Sequence, residues 1–573
     1  MGIFSRRDFF KLSGVAPFLK LGAQVPVASP SSGERGSELA LVNAKILTME
    51  REQPEAEAAL VRGGRIVLVG SNDRVRVEAS SALTFDAAGR VVVPGFVDAH
   101  CHFEMTCLAA SYQAACHTPP LASLRQILDV LGAKARETPP GKWVIGRGSF
   151  ALAAEVVEKR LATRQDLDAV TQDHPLVLFA GFHVAMLNTR ALKEFGLWDP
   201  DAKPPRGSIV HREPSGAPTG VATEVWDLLP PYSFEEVRTA VKAQARELFV
   251  SKGTTSISTI PYSADDIRAD RELQAAGELP LRLRIYYHVP HAISLDALLA
   301  TGLISGAGDD MFRLGGIKIF VDGTAHDGLG NPVEDYKWTQ EELSDFVSRA
   351  HAAGIQLIMH VLSRGALLMA ATAVEEALRR NPRPHRHRVE HGGDHLDRLE
   401  DMRRLRELGI RVVTTPHFGR RRRSELRTPR FRTLIEEGLE PIAVTDATGT
   451  VPGSSSPLFN MACAVAARGE GGGAPGPEEA VTFEEALRMH TLWAAHGGFE
   501  EQDKGSIAAG KLGDFAVLSE DPRGRPGREL FDLKVDATIL GGEVVYEREP
   551  SAVAQAPVAG ATAPGVGPRR DEK

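Results

Sequence analysis

The chain has 573 residues, of which 43% are hydrophobic and 25% are charged, a composition typical of soluble globular proteins with a sizeable core. Its formal net charge of −8 is small for this length and gives no reason to expect nucleic acid or an anionic membrane as a partner. Four cysteines are too few for a disulfide scaffold, and no apolar run reaches the roughly 18 to 20 residues that span a bilayer.

The N-terminal segment carries a targeting pattern. The sequence SRRDFFK, from Ser5 to Lys11, resembles a twin-arginine export signal. A moderately apolar stretch with small residues follows to about Ser32, where cleavage is expected. We therefore predict that residues 1–34 are a removable signal and that the export machinery delivers the protein to the periplasm. Without a working signal, the protein would stay in the cytoplasm.

Both chain ends predict short strands. The strand-like segments with turn glycines are Glu38–Met49, Ala58–Gly70, Gly505–Asp521 and Val535–Glu547. Gly63-Gly64 lies between two apolar runs and is a hairpin signal. We predict that residues 35–93 and 507–549 pair into one small β-sandwich, and that the Ala-, Pro- and Gly-rich tail 550–573 is disordered.

Between the ends, short apolar strands alternate with helical segments, which is the pattern of parallel βαβ units. The first of these strands ends at His102. Seven more are predicted at Thr254–Ile260, Leu283–Val289, Gly316–Phe320, Ile355–His360, Arg388–His391, Arg411–Thr415 and Ile442–Thr445. Eight strands predict an α/β fold, a TIM-like (β/α)8 barrel over residues 94–506. The segment 103–250 is too long for one crossover, so we expect an insertion there with strands and helices of its own.

The first barrel strand, in VVVPGFVDAHCHFE, ends in a His-Cys-His triplet. Because side chains alternate along a strand, His100 and His102 point to the same face and Cys101 points away. Two imidazoles side by side can hold a divalent metal such as zinc. Cys101 is expected to be a packing residue rather than a ligand.

Further candidate ligands lie at the C-terminal ends of other predicted strands, where barrel enzymes build their active sites. They are Lys318 in strand four, His360 at the end of strand five, His391 at the end of strand six and Asp446 after strand eight. Since all of them would meet at one end of one barrel, the sequence predicts a metal centre there. Glu390 precedes His391, so we expect it to face away from the metal and to support the strand or a ligand.

This order of residues resembles the amidohydrolase superfamily. The motifs PGFVDAHCH, GGIKIFVDG and RVEHG are similar to those of its amidohydrolase-3 branch, which includes N-substituted formamide deformylases and YtcJ-like proteins. The run from LRMHTLWAAHGG to GKLGDFAVL is similar to the exit of that branch from the barrel into the sandwich. The resemblance spans roughly residues 38 to 547 and implies a metal-dependent hydrolase.

The resemblance also implies a chemistry. The protein would bind one or two zinc ions. Two ions would be bound if Lys318 is carbamylated, and the alternative is an unmodified Lys318 beside a single metal ion. The implied metal ligands are His100, His102, Lys318, His360, His391 and Asp446. The implied reaction is hydrolysis of a non-peptide or N-acyl amide C–N bond in a small molecule by a metal-activated water. Asp446 would take the proton of that water and pass it to the leaving nitrogen.

The chain departs from the branch after strand five, where Arg364 stands in place of the usual Asp. With part of the arginine-rich loop Arg420–Arg423, Arg364 is expected to bind an anionic substrate group. The alternative is a solvated basic loop. In the insertion, His183 corresponds to a histidine that faces the site in relatives, and we regard it as a candidate substrate contact.

Two other functions stay open at this point. A deaminase of the same superfamily usually carries a Glu shortly after the strand-five or strand-six histidine; neither segment supplies one, although Asp394 could substitute. A catalytically inactive binding protein on the same scaffold is the other alternative, and the exchange at Arg364 is the feature that favours it.

Overall fold

The computed structural model describes residues 38–79, 82–394, 396–420, 430–466 and 476–549. The predicted signal 1–34, the predicted disordered tail 550–573 and residues 421–423 of the arginine-rich loop lie outside the described residues, so these remain predictions. In the part of the chain that the structure describes, no helix is long and apolar enough to cross a membrane.

Eight parallel strands form the central sheet and follow one another in chain order. They are Phe96–Cys101, Thr254–Thr259, Arg282–His288, Phe312–Phe320, Gln356–His360, Arg388–Glu390, Arg411–Thr414 and Ile442–Ala443. Each strand pairs in parallel with the next one along the chain. The predicted (β/α)8 barrel is therefore confirmed, with strand ends that shift by only a few residues.

The barrel closes between its eighth and first strands through groups just beyond the short eighth strand. The backbone N–H of Asp446 donates to the carbonyl of His100 at 3.0 Å. The N–H of Thr445 donates to the Asp98 carboxylate, also at 3.0 Å. Asp98 is fully buried, and burial raises its pKa to about 6. The closure itself therefore sets Asp446 beside the His-x-His strand.

Helices surround the barrel. They are Phe234–Leu248, Ala264–Ala275, Leu295–Ala300, Gln340–Ala352, Arg364–Arg380, Leu399–Glu407, Phe431–Glu436, Pro457–Val465, Phe483–Met489 and Leu492–Gly497. Several begin with a capping box, in which a Ser or Thr and the acidic residue three positions later each satisfy the other's backbone N–H. The helix predicted from Thr339 to Gly354 has such a capping box between Thr339 and Glu342. Its last residue is Ala352, and Gly354, two positions later, has a φ of +78°, which suits a helix stop.

The predicted insertion after the first strand is present and has a six-stranded sheet of its own. In spatial order the strands are Ile209–Arg212, Pro218–Thr223, Val184–Leu187, Leu176–Ala180, Val144–Gly148 and Ala114–Cys116. Its helices are Phe103–Tyr112, Leu124–Glu137, Leu152–Glu155, Arg164–Asp168 and Thr189–Glu194. The insertion therefore adds a second layered unit beside the barrel rather than a long loop.

The chain ends build a β-sandwich. One sheet orders Arg65–Gly70, Ala58–Arg62, Leu39–Val42 and Leu83–Asp86, with helix Asn72–Glu78 beside it. The other orders Glu543–Glu547, Val535–Leu540, Phe515–Leu518, Val91–Pro94, Lys45–Leu47 and Glu55–Ala56. The Gly63-Gly64 hairpin is confirmed. The predicted strand Glu38–Met49 is instead broken at Asn43, whose φ of +53° sends the two halves into different sheets.

Three histidines pack together at the opposite end of the barrel from the candidate ligands. Leu357 N–H donates to His387 Nδ1 at 3.1 Å, so the proton of His387 lies on Nε2, 3.0 Å from His351 Nδ1. His387 N–H in turn donates to His385 Nδ1 at 3.1 Å. Burial, and then the neighbouring imidazoles, hold the pKa of His387 well below its usual range. Arg383 adds a further positive charge that opposes protonation. These contacts therefore favour the neutral form of the His387 ring.

We expect this cluster to weaken the fold in acid. A histidine whose folded pKa is lowered contributes its stability above the unfolded pKa of about 6.5 and loses it as the pH falls further. The loss is about 1.4 kcal/mol per pH unit for each histidine held neutral. In the variant His387→Asn, the side-chain amide oxygen can accept the hydrogen bond from Leu357 N–H, and the amide does not change its charge with pH. Denaturant unfolding at pH 7.5, 6.0 and 5.0 should therefore show a shallower loss for this variant than for wild type. Parallel curves would contradict the prediction.

Candidate metal centre

The predicted ligands gather at the C-terminal ends of the barrel strands. One nitrogen from each of His100 and His391 and one carboxylate oxygen of Asp446 all lie within 4.8 Å of one another. His102 Nε2 lies 3.4 Å from Asp446 Oδ1. Lys318 Nζ lies 3.4 Å from His100 Nε2. All five side chains are buried, although they come from four separate strand ends.

Asp446 lies at the centre of three imidazoles. His100 Nε2 and His102 Nε2 are both 3.4 Å from its Oδ1, and His391 Nε2 is 4.0 Å from its Oδ2. Burial alone would raise the pKa of Asp446, but the imidazoles of His391, His102 and His100 hold it well below its usual range. Asp446 is therefore an anion surrounded by nitrogens.

Each of the three imidazoles is held at its other nitrogen. The Nδ1 contacts are His100 with Glu390 Oε2 at 2.5 Å, His102 with the Tyr262 hydroxyl at 3.0 Å, and His391 with Thr415 Oγ1 at 3.1 Å. A histidine that binds a metal usually donates its second ring N–H in this way, which fixes the tautomer and the ring orientation. The contacts leave all three Nε2 atoms facing one point.

The donor set fits a divalent cation. Asp446 Oδ1 is buried and has no hydrogen-bond partner, although two Nε2 atoms face it. A buried carboxylate oxygen without a partner is costly, and imidazole lone pairs directed at it would repel it unless a cation lay between them. His391 and Asp446 also have φ values of +63° and +43°, a left-handed backbone that non-glycine residues rarely adopt and that clusters at functional sites.

Glu390 supports a ligand of the centre, one of the two roles expected for it. It is fully buried, and it accepts two hydrogen bonds from Arg388, each at 2.8 Å, in addition to its contact with His100. Its contact is with Nδ1 of His100, the ring nitrogen opposite to the Nε2 that faces Asp446. Burial opposes ionisation, but Arg388 and His100 hold the pKa of Glu390 well below its usual range. Glu390 is therefore an ionised carboxylate that orients His100.

Lys318 has no carboxylate partner within the cluster and is completely buried. Its Nζ lies 4.8 Å from the centre of the Phe320 ring and near His100 Nε2. Burial lowers its pKa to about 8. This amine therefore loses its proton more readily near neutral pH than an ordinary lysine does, and the uncharged form is the one that reacts with carbon dioxide.

His360 lies at the edge of the cluster rather than inside it. Its ring centre is 5.0 Å from that of His391 and 4.5 Å from that of Phe320. Its Nε2 donates to the carbonyl of Gly323 at 3.1 Å. The structure therefore places His360 beside the other candidates while its Nε2 is engaged with the loop after strand four. Its role as a ligand remains a prediction.

The insertion brings His183 to the same place. The ring centre of His183 is 5.2 Å from that of His360. Its Nδ1 lies 2.8 Å from Glu224 Oε1, and the other oxygen of Glu224 forms an ion pair with Lys337 at 3.3 Å. Burial opposes ionisation of Glu224, but His183 and Lys337 lower its pKa to about 2. A fixed carboxylate therefore orients His183 beside the centre.

Arg364 is occupied by a carboxylate of the protein. It begins a helix, is partly exposed, and donates to Asp401 from Nε at 2.7 Å and from Nη2 at 3.1 Å. Asp401 therefore takes up two of its hydrogen-bond donors, and the binding of a substrate anion by Arg364 remains a prediction.

Asp394 connects two barrel strands. It accepts hydrogen bonds from the hydroxyl of Thr414 and from the N–H of Thr415, so it ties strand six to strand seven.

Several residues of the centre were not among the sequence candidates. Arg388 precedes Glu390 by two positions, and strand alternation could have paired the two as same-face neighbours. Asp98 precedes His100 by two positions and could have been found in the same way. Tyr262 and Thr415 follow strands two and seven, but a Tyr or Thr after a strand carries no ligand signal of its own.

A (β/α)8 barrel that gathers imidazoles, a carboxylate and a buried lysine at the C-terminal ends of its strands has the architecture of metal-dependent hydrolases. The sequence model of the amidohydrolase family matches residues 83–546. The chain therefore belongs to the amidohydrolase family. It is a hydrolase that acts on carbon–nitrogen bonds other than peptide bonds.

Individual relatives agree along nearly the full length of the chain. An N-substituted formamide deformylase from Arthrobacter pascens is 32% identical over 89% of this chain and 98% of its own. The YtcJ amidohydrolase of Bacillus subtilis is 26% identical over 88% of this chain and 98% of its own. A solved structure of a metal-dependent hydrolase from Pyrococcus furiosus superimposes with a TM-score of 0.62 at 21% identity, over 85% of this chain and 99% of that one. The solved structure supports the fold alone.

Proposed function

We propose that this protein hydrolyses the C–N bond of a small N-acyl amide, N-substituted formamides included, with zinc at the Asp446 cluster. The observation that carries the proposal is the buried, unpartnered Oδ1 of Asp446, which faces the Nε2 atoms of His100 and His102. The similarity to an N-substituted formamide deformylase supports the choice of bond. Histidine and carboxylate ligands are those that catalytic zinc prefers.

The residues divide the chemistry between them. A zinc ion held by the imidazoles and Asp446 would polarise the substrate carbonyl and make water acidic enough to attack it near neutral pH. Asp446 accepts the proton of the attacking water and donates it to the leaving nitrogen as the C–N bond breaks. The products are a carboxylate and an amine. Glu390, Tyr262 and Thr415 keep the three imidazoles oriented throughout.

Lys318 would add a second metal position. An uncharged lysine amine would react with carbon dioxide to give a carbamate and release one proton, and the carbamate oxygens would supply ligands for a second metal ion. The complete burial of Lys318, its lowered pKa and its position near His100 support this step. The alternative is an unmodified amine next to a single zinc ion.

The purified protein should contain about one or two zinc ions per chain and should release amine from a panel of N-formyl and N-acyl amines. Chelation should remove the metal and the activity together, and zinc should restore both, because a metal lowers the barrier by stabilising charge on the carbonyl. Metal analysis and amine detection test these expectations. A metal-replete protein that leaves the whole panel intact would refute the amide-hydrolase proposal.

Lys318→Arg provides the matched control for the metal count. Arginine keeps the positive charge but stays protonated, so it cannot form a carbamate. If wild type holds two zinc ions, this variant should hold one. An unchanged count of two would mean that Lys318 does not hold the second ion. Release of ammonia from amino-substituted rings, without cleavage of amides, would favour the deaminase alternative.

A further inference from the structure

Arg147 is the one buried arginine without a counter-ion among the residues that the structure describes. Four arginines there are at least nine-tenths buried. Three of these pair with a carboxylate: Arg282 with Asp514, Arg284 with Glu500 and Arg388 with Glu390. For Arg147, by contrast, the described residues provide no carboxylate. A buried cation without a partner is costly, so a second reason for its presence is needed.

The surroundings of Arg147 leave one edge of its guanidinium without a hydrogen-bond partner among the described residues. Its Nε donates to Gln113 Oε1 at 2.9 Å, and its Cζ lies 4.8 Å from the centre of the Phe179 ring. Its Nη1 is buried and has no hydrogen-bond partner among the described residues. Its Nη2 likewise makes no hydrogen bond to them. The Nη1–Nη2 edge therefore offers parallel N–H donors, the arrangement that binds a carboxylate in a bidentate manner.

The strand that carries Arg147 leads to the catalytic face of the barrel. Phe150, three residues further on, packs edge-to-face on Phe418 with 5.3 Å between the ring centres, and Phe418 stacks on His391 at 5.7 Å. Tyr262 interacts electrostatically with Arg147, and the Tyr262 hydroxyl is 3.0 Å from Nδ1 of the ligand His102. The charge of Arg147 also contributes to lowering the pKa of His117. The Nε2 of His117 donates to the carbonyl of Gly449 at 2.8 Å. Gly449 follows Asp446 by three residues. Arg147 thus lies where the insertion meets the loops that carry the metal centre.

The guanidinium keeps its charge in this setting. Burial lowers the pKa of Arg147 to about 10, while Tyr232 and Tyr262 favour the charged form. It is therefore a cation at neutral pH. Gln113 also donates to the Tyr232 hydroxyl at 3.3 Å, so the group that orients Arg147 is itself fixed.

We infer that Arg147 is an anion-binding subsite of this enzyme and that its physiological amide carries a carboxylate, as an N-acyl amino acid does. The inference rests on the proposed amide hydrolysis and names the class of substrate. It also gives Arg147 the role that the sequence suggested for Arg364, whose guanidinium is paired with Asp401.

Two amides that differ only in the carboxylate test the subsite: N-formylphenylalanine and N-formyl-2-phenylethylamine. Wild type should show at least about a tenfold higher kcat/KM for the acid. Arg147→Met should lower kcat/KM for the acid by about 10–100-fold, mainly through KM, because charged hydrogen bonds are lost. The neutral amide should change by less than about threefold. Arg147→Lys should restore part of the preference.

Arg364→Met is the matched control, since it removes an arginine already paired on the protein surface. It should leave the ratio of acid to neutral amide unchanged. Equal losses on both amides in Arg147→Met, no preference in wild type, or loss of preference in Arg364→Met instead would each overturn the inference. Hydrolysis of the neutral amide by wild type tests the proposed amide hydrolysis separately, because it does not depend on the anion-binding subsite.

Thermal unfolding gives a readout that does not depend on turnover. Phenylalanine should raise the Tm of the wild-type holoenzyme, whereas 2-phenylethylamine should not. Arg147→Met should abolish this shift and should unfold at a higher temperature than wild type without ligand, because an unpaired buried charge has been removed. A lower Tm without ligand, together with an unchanged shift, would mean that Arg147 only holds the insertion together.

Discussion

Asp446→Asn should lower kcat/KM for amides by roughly 10²–10⁴-fold, the range expected when a positioned proton acceptor is lost. Asn keeps the shape of Asp but neither accepts a proton at neutral pH nor balances the charge of a metal. Asp446 faces three imidazole Nε2 atoms, so the variant should also bind zinc more weakly. Steady-state kinetics at saturating zinc, together with metal analysis, separate the two effects.

Asp394→Asn is the control for this experiment, because it makes the same exchange in another buried carboxylate at a neighbouring strand end. Both Asp394 oxygens are already occupied by Thr414 and Thr415, which places Asp394 in the scaffold rather than in the proton path. We expect its kcat/KM to stay within tenfold of wild type. Wild-type turnover by folded, zinc-loaded Asp446→Asn would refute the role of Asp446. A larger loss in Asp394→Asn would transfer the proton shuttle to that residue.

Glu390→Gln should be among the most destabilising single changes in this chain, at about 3–5 kcal/mol in the free energy of unfolding. Glu390 and Arg388 are both fully buried, and the substitution would leave the Arg388 cation without its carboxylate. It would also replace the ionised acceptor of His100 Nδ1 by a neutral amide, and loss of such an orienting partner lowers metal affinity by up to about 10–100-fold. Denaturant unfolding of the metal-free protein and zinc titration measure the two effects.

Glu437→Gln offers a matched comparison, since Arg403 also holds Glu437 with two hydrogen bonds, at 3.1 and 3.2 Å. Arg403 is about half exposed, and a pair of that kind contributes about 0–1 kcal/mol. If Glu390→Gln costs no more than Glu437→Gln, the Arg388–Glu390–His100 arrangement is not a buried support. If stability falls while zinc affinity is unchanged, then Glu390 supports the fold but not the ligand.

The barrel could be predicted from the sequence because each of its strands is a short apolar run followed by a polar residue at the same end. His100, His391 and Asp446 could be placed together for the same reason. The contact of Glu390 with His100 could not, since the two residues are 290 positions apart in the sequence. The lack of a counter-ion for Arg147 could not be predicted either, because it depends on which residues from distant parts of the chain surround the guanidinium.

The closure of the barrel has a consequence for how the metal centre is made. Asp98 and Thr445 hold the first and last strands together although they are 347 residues apart in the sequence. His100 therefore meets Asp446 only after the ribosome has produced most of the chain. A nascent N-terminal portion has the His-x-His pair but not the carboxylate that completes the cluster. The complete cluster is thus formed late, when synthesis has passed Asp446, and a chain interrupted before that residue lacks the carboxylate that faces the imidazoles.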